Sequence, residues 1–266
     1  MSNTVETFEI PLEAAEVYEE KFVPALFGQW APLLVEAAGV RPGQSVLDVA
    51  CGTGVAARTA ADRIAGDGTV VGLDLNESML TVARRLRPDI EWRQGDAVAL
   101  PFADKSFDVV LCQSALMFFP DPGGALLEMG RVVTPEGSVA VQVYSSLESQ
   151  PAYGPWVELV AGYAGPEAAN LLNTYFVHGD LDALGSLFET AGLEVTATRT
   201  HLATLRFDSA EEAVRTEMEA TPLRERISDE VYDKILADSC EMLQQYGTES
   251  GVEVPIEGHI LTARKH

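Results

Sequence analysis

Three aspartates and two glycines carry most of the chemistry that can be read from this sequence. Asp48 lies inside VLDVACGTG (residues 46–54), an apolar run that ends in an acid and then in Gly52-Thr53-Gly54. With Ala57, the glycines fit the pattern G-x-G-x-x-G/A. Such a turn lets backbone approach a ligand closely, and the helix after it points N–H groups into the same space. Asp74 lies 20 residues beyond Gly54, at the end of the run TVVGLDL. A carboxylate there can accept hydrogen bonds from both hydroxyls of a ribose. A helix N-cap is the plainer role for Asp74, but Asn76 can fill it equally well. Asp96, in GDA after a third run, can accept an exocyclic adenine amine while the Ala97 N–H meets a ring nitrogen; an ordinary turn aspartate is the alternative. Met79, five residues past Asp74, is placed either for the adenine face or for the core.

Two ribose-bearing cofactors suit this arrangement, a nicotinamide dinucleotide and S-adenosylmethionine. Asp48 separates them. A carboxylate at the strand end before the loop repels a pyrophosphate and attracts an ammonium group. S-adenosylmethionine carries an ammonium and a sulfonium and no phosphate. Asp48 can also order the loop by accepting its backbone N–H groups, and the two roles are compatible.

Elements that would hold these residues follow from hydrophobic spacing. Residues 11–39 have helical periodicity (Val17, Phe22, Leu26, Trp30, Leu34, Ala37), and Pro24 and Gly28 predict a break into two pieces. SVLDVA, TVVGLDL, DIEWRQ, SFDVVLCQS and PEGSVAVQVY read as strands, with helices over about 55–65 and 77–87 and from Asp121-Pro122 to about Val133. This alternation predicts a parallel sheet with helices on both faces. A helix from Asp180 to Gly192 and the strand LEVTATRTHLATLRF follow. Ser209 with Glu212 forms a capping box, helices fill 209–247, and VEVPIEGHILTARK is a closing strand.

Taken together, VLDVACGTG, VVGLDLNESML, GDAVALPFADKSFDVVLCQSALMFFPDP and LLEMGRVVTPEGSVAVQVY resemble the successive motifs of class I S-adenosylmethionine-dependent methyltransferases, of the branch related to ubiquinone/menaquinone C-methyltransferases. The resemblance is firm over about residues 40–145. It implies an α/β, doubly wound Rossmann-like sheet of seven strands, order 3-2-1-4-5-7-6 with the last strand antiparallel. One domain over 1–266 is then expected: a helical cap (1–43), a cofactor-binding core (44–145), and substrate-side helices with closing strands (146–266). It implies S-adenosyl-L-methionine as cofactor and S-adenosyl-L-homocysteine as product. By motif position, Gly52 and Gly54 meet the amino acid end, Asp74 the ribose, and Asp96 and Ala97 the adenine; Asp48, Ala50, Thr53, Leu75 and Met79 are the further cofactor-binding candidates. Cys112 and Gln113 line the sulfonium side. Met117 stands where many relatives carry His or Gln, and Ala50 where many carry glycine.

Methyl transfer asks the protein to align and desolvate, because the cofactor carries the activated group. A base is needed only for some acceptors. Of four histidines, His201 and His259 fall on the closing strands and His266 is terminal, which leaves His178 as the base candidate; Tyr144, at a strand's carboxyl end, is a candidate substrate contact. Tyr18, Phe22, Trp30, Met117 and Tyr175 are candidates for a cap or an acceptor pocket. The formal charge of -23, from 41 acids and 18 bases, repels nucleic acid and anionic membrane. No apolar run approaches the roughly 18 residues of a membrane span. Three widely spaced cysteines have neither metal-ligand nor disulfide-framework spacing, and no metal is expected. The N-terminal stretch carries acids where a secretion signal carries bases, so a cytoplasmic location is expected. The expected partner is a small apolar or aromatic methyl acceptor; these motifs specify neither the atom methylated nor the oligomeric state. An NAD-dependent oxidoreductase and a non-catalytic cofactor-binding regulator are the other readings.

Overall fold

The structure is a computed structural model that describes residues 11–219 and 223–265. Strands β1 (Ser45–Val49), β2 (Thr69–Asp74), β3 (Glu91–Gln94), β4 (Phe107–Gln113) and β5 (Val133–Tyr144) are separated by helices, as the periodicity predicts, except between β3 and β4, which a loop without a helix connects. With β6 (Leu193–Phe207) and β8 (Gly251–Lys265) they form one sheet in the order β3-β2-β1-β4-β5-β8-β6, and a two-residue strand, β7 (Gly247–Thr248), pairs with β8. The first five strands run parallel in register, for example Asp48 beside Gly72 and Leu111, and β8 is antiparallel to both neighbours. Setting β7 aside, this is the expected seven-stranded order. The chain reverses direction across the sheet between β1 and β4, and the carboxyl ends at such a switch point are where open α/β sheets bind ligands.

Two compact units are distinguished. The first comprises Met1–Val143, Asp180–Thr200 and His259–His266; the second comprises Tyr144–Gly179 and His201–Gly258. In the first, Val46, Leu47 and Val49 of β1 are fully buried, as a central strand covered on both faces must be. Helices α3 (Val55–Ile64), α4 (Glu77–Leu86), α5 (Pro122–Val132) and α8 (Leu181–Thr190) cover its strands. Asn76, Asp121 and Asp180 cap the last three, so Asp74 is released from capping α4. The second unit holds α6 (Tyr153–Ala164), α7 (Pro166–Asn173), α9 (Ala210–Glu219), α10 (Leu223–Arg226) and α11 (Asp229–Leu243). At the start of α9 the Glu212 N–H donates to Ser209 Oγ (3.1 Å).

The N-terminal helix departs from expectation. It runs unbroken through α1 (Leu12–Val17), a π-helical stretch over Tyr18–Phe27 and α2 (Gly28–Ala37). Pro24, which lacks an N–H and crowds the carbonyl one turn back, sits inside the wider π turn, so the chain absorbs it without ending the helix.

Around Gly54 the packing admits no side chain. A Cβ there would overlap the Trp92 ring, and the backbone is left-handed (φ 88°). The indole also lies against Gly72, its register partner, and its Nε1–H donates to the Arg87 carbonyl (2.8 Å). Gly54→Ala therefore meets two penalties, left-handed strain of ~1–2 kcal/mol and overpacking of ~1–3 kcal/mol. Denaturant unfolding should show a loss of at least about 2 kcal/mol; a loss under about 0.5 kcal/mol would mean that Trp92 moves aside at no cost.

Candidate active site

At the carboxyl end of β1 the chain turns through Ala50 and Gly52, both left-handed (φ 54° and 56°), into α3. Two aspartates hold this turn. Asp74 Oδ2 accepts the Gly52 N–H (2.7 Å), and its Oδ1 accepts the Asn76 N–H (2.8 Å). One carboxylate thus ties the glycine turn to the start of α4. Asp48, 1% exposed, accepts the Ala57 N–H on Oδ2 (2.8 Å). Its Oδ1 is buried with no hydrogen-bond partner, as is the hydroxyl of Thr53. Burial pushes the Asp48 carboxyl up to about 7; the Ala57 N–H opposes this and the neighbouring Asp74 adds to it. Burial also raises Asp74, against the N–H groups of Asn76, Gly52 and Leu75.

The N-terminal helix covers the turn. A Cβ on Gly52 would lie 3.8 Å from the Tyr18 ring and hydroxyl, so Tyr18 sits over the glycine. Tyr18 stacks with Phe22 (6.1 Å between centroids) and Phe27 (5.0 Å). All three rings are half-buried. Contacts that anchor the helix include a two-pronged pair from Arg58 to Glu19 (2.9 and 3.1 Å), a pair from Arg85 to Glu16 (2.5 Å), and the Gln113 side-chain N–H donated to the Phe27 carbonyl (3.0 Å). The other side-chain atom of Gln113, Oε1, is buried with no partner.

Asp48, Ala50, Gly52, Thr53 and Asp74 are therefore brought together at one turn, Tyr18 lies over it with Phe22 stacked on its ring, and Gln113 ties the covering helix at Phe27. Leu75, immediately after Asp74, is 56% exposed. Asp96 is exposed, its Oδ1 accepts the Val98 N–H (3.1 Å), and Ala97 is buried. Other candidates point elsewhere. Trp30 is wholly buried and belongs to the core. Met79 is buried in a cluster with Ala15 and Val82, against which Tyr18 packs. The Cys112 thiol is wholly buried in the main core, where burial raises its pKa, so the side chain does not line a surface. Gly54 serves the Trp92 contact. Met117 is buried on a short turn over Leu116–Phe118.

Tyr144, Tyr175 and His178 lie in the second unit. Phe176 has ring contacts with Tyr144 (6.2 Å), Tyr153 (5.4 Å) and Tyr175 (6.5 Å). His178 is half-buried. His201 is exposed on β6; His259 is buried on β8, its Nδ1 2.9 Å from the Thr200 hydroxyl; His266 lies outside the described residues. Residues that sequence reasoning passed over include Arg58 and Trp92. Only Trp92 left a signal: a glycine within a strand pattern, Gly72, marks a close approach.

Comparison with known proteins agrees with this geometry. Residues 47–141 match the methyltransferase domain family. The ubiquinone/menaquinone biosynthesis C-methyltransferase of Cupriavidus necator is 38% identical over 183 residues, 62% of this chain and 73% of that protein. The chain belongs to the class I S-adenosylmethionine-dependent methyltransferases. The demethylmenaquinone methyltransferase of Renibacterium salmoninarum is 45% identical over 145 residues, 53% of this chain and 58% of that protein, so the chain spans little more than half the length of that curated relative. Among solved structures, a Haemonchus contortus phosphoethanolamine N-methyltransferase bound to phosphomonomethylethanolamine and S-adenosylhomocysteine superposes with a TM-score of 0.60 at 20% identity, covering 96% of this chain and 57% of that one. The [4+2]-cyclase SpnF superposes at 0.54 and 21%, covering 90% and 80%. At these identities the likeness concerns the fold. The family match contains every cofactor-side candidate outside the N-terminal helix.

The buried acid in this methyltransferase turn has a consequence for stability. Asp48 titrates near 7 when folded and near 3.9 when unfolded. Between about pH 4 and 7 the folded state keeps a proton that the unfolded chain has lost, so stability falls as pH rises and levels off above about 7. Asp48→Asn keeps an acceptor for Ala57 and removes the titration. Measured by denaturant unfolding, its stability relative to wild type should improve by about 1–3 kcal/mol between pH 4.5 and pH 8. Parallel pH curves for the two proteins would contradict this assignment.

Proposed function

We propose that this chain transfers a methyl group from S-adenosylmethionine to a small apolar or aromatic acceptor. The observation that carries the reading is the pair of desolvated carboxylates, Asp48 and Asp74, flanking the Gly52 turn. A pyrophosphate brought there would meet their charge. An ammonium would meet Asp48 Oδ1, a buried acceptor with no partner, beside the equally unpartnered Thr53 hydroxyl. Buried polar groups of this kind are complementary to a ligand that satisfies them. The residues present therefore fit S-adenosylmethionine and disfavour a nicotinamide dinucleotide.

When bound, the cofactor supplies a methyl group already activated by a sulfonium. The protein's part is to hold and desolvate. Gly52, Thr53 and Asp48 would take the amino acid end; Asp74, whose carboxylate keeps acceptor capacity beyond its backbone donors, the ribose hydroxyls; Leu75, Asp96 and Ala97 the adenine. Tyr18, Phe22 and Phe27 would exclude water on the Gly52 side. Met79 and Trp30 would support these surfaces from behind, and Cys112 would act through its backbone, next to Gln113. In the second unit, Tyr144, His178 and Tyr175 would serve the acceptor. The names of the quinone-related relatives support an aromatic acceptor. No helix among the described residues is long and apolar enough to cross a membrane, which is compatible with a cytoplasmic enzyme of small metabolites.

Calorimetric titration tests the cofactor. Wild type should bind S-adenosylmethionine and S-adenosylhomocysteine and give no heat with NAD. Asp74→Ala loses charge-assisted hydrogen bonds of about 1.5–3 kcal/mol each, so affinity should fall roughly tenfold to a hundredfold or more, and Asp74→Asn should fall less. NAD binding without binding of either sulfur compound would overturn the reading. Isotopically labelled cofactor, incubated with a metabolite extract, would then identify the acceptor; binding without any transfer would point to a regulator.

A further inference from the structure

The amino acid end of S-adenosylmethionine carries a carboxylate as well as an ammonium group. Asp48 and Asp74 suit the ammonium and oppose a further anion. The backbone of the turn has little left to offer a carboxylate. The Cys51 N–H donates to the Leu73 carbonyl (2.9 Å), the Gly52 N–H to Asp74 Oδ2 (2.7 Å), the Gly54 N–H to the Cys51 carbonyl (2.8 Å) and the Ala57 N–H to Asp48 Oδ2 (2.8 Å). Arg58, on α3, has both terminal guanidinium nitrogens in its two-pronged pair with Glu19. Thr53 is buried. Tyr18 is placed differently. Its ring Cε1 and its hydroxyl oxygen are the atoms nearest to Gly52, each 3.8 Å from where a Cβ would stand, so the polar end of the ring faces the turn. The residue is half-buried, and its ring is held by stacking with Phe22 and Phe27 and by the adjacent Glu19–Arg58 pair. A donor held in place before the ligand arrives loses little freedom on binding.

We propose that the Tyr18 hydroxyl donates a hydrogen bond to the carboxylate of the cofactor's amino acid end, so that the N-terminal helix recognises the methionine part of the cofactor as well as covering it. The inference rests on S-adenosylmethionine as cofactor and assigns one contact within it. A phenol brings a donor without a charge. Beside two desolvated acids that is the fitting kind of donor, because a lysine or an arginine there would pair with Asp48 or Asp74 and cancel the charge that serves the ammonium. An O–H donated to a carboxylate is charge-assisted, and roughly twice as strong as a bond between neutral groups. Phe22 and Phe27 share the stack and have no donor, so among these three rings the contact falls to Tyr18.

Calorimetry on the full chain tests it with S-adenosylmethionine, S-adenosylhomocysteine and decarboxylated S-adenosylmethionine. The last keeps the adenosine, the sulfonium and the ammonium and lacks only the carboxylate. Wild type should bind S-adenosylmethionine at least about tenfold more tightly than the decarboxylated compound. Tyr18→Phe keeps the ring and its stacking and removes the hydroxyl. It should weaken S-adenosylmethionine and S-adenosylhomocysteine alike, by about tenfold or more, and leave the decarboxylated compound within about twofold. An equal loss for the decarboxylated compound would place the hydroxyl on the ammonium or the sulfonium and overturn the proposal. Unchanged affinities in a Tyr18→Phe protein with native circular dichroism would overturn it too. So would a wild type that binds the decarboxylated compound as tightly as S-adenosylmethionine, whether or not the variant folds. A wild type that binds none of the three would overturn the cofactor reading and this contact with it, a result distinct from the other three.

Discussion

The site depends on one hydrogen bond, from the Gly52 N–H to Asp74 Oδ2. It joins the turn after β1 to the end of β2 and fixes where backbone N–H groups can face a ligand. Asp74 serves it at a cost, since burial disfavours its charge and only backbone donors offset this. Asp48 stands in a sharper form of the same condition, with one oxygen satisfied and one not. Two desolvated acids beside one glycine turn make a poor cradle for phosphate and a good one for a cationic amino acid group. The same turn geometry with other residues at positions 48 and 74 would not carry that preference.

Strain gathers at the same end of the sheet. Ala50 follows β1 and Ser114 follows β4, and both are left-handed non-glycine residues (φ 54° and 52°). Each costs about 1–2 kcal/mol relative to a relaxed conformation. The Ser114 N–H donates to the Gln142 carbonyl (3.0 Å), and the Ser114 hydroxyl bonds the Gln142 side chain, which holds the backbone in place. Because β1 and β4 flank the switch point of the sheet, the strained residues mark the two turns at which the chain leaves the strand ends there.

Much of this was legible in the sequence because strand and helix periods alternate over most of residues 45–145, and because glycines and acids at fixed offsets from strand ends have few other uses. What escaped it depended on three-dimensional register. Cys112 lies on a strand buried on both faces, where apolar alternation does not say which way a side chain points. Trp92 meets Gly54 and Gly72 only because β3 pairs beside β2. Pro24 promised a break that a π turn absorbed. Trp30 and Met79 look alike in sequence whether they face a ligand or the core, and here they are buried. In the segments after residue 145 no spacing announced that Tyr153 would donate to Glu217, since the two residues lie 64 positions apart.

The central claim is that Asp48 supplies the negative charge for the cofactor's ammonium group. Proton release on binding tests it most directly. At pH 6.5 a carboxyl titrating near 7 is mostly protonated, and pairing with an ammonium ionises it. Titration of S-adenosylmethionine in buffers of differing ionisation enthalpy should therefore show release of roughly 0.5–0.8 proton per site by wild type, and close to none by Asp48→Asn. Binding with no net proton release, or with equal release from the variant, would contradict the account.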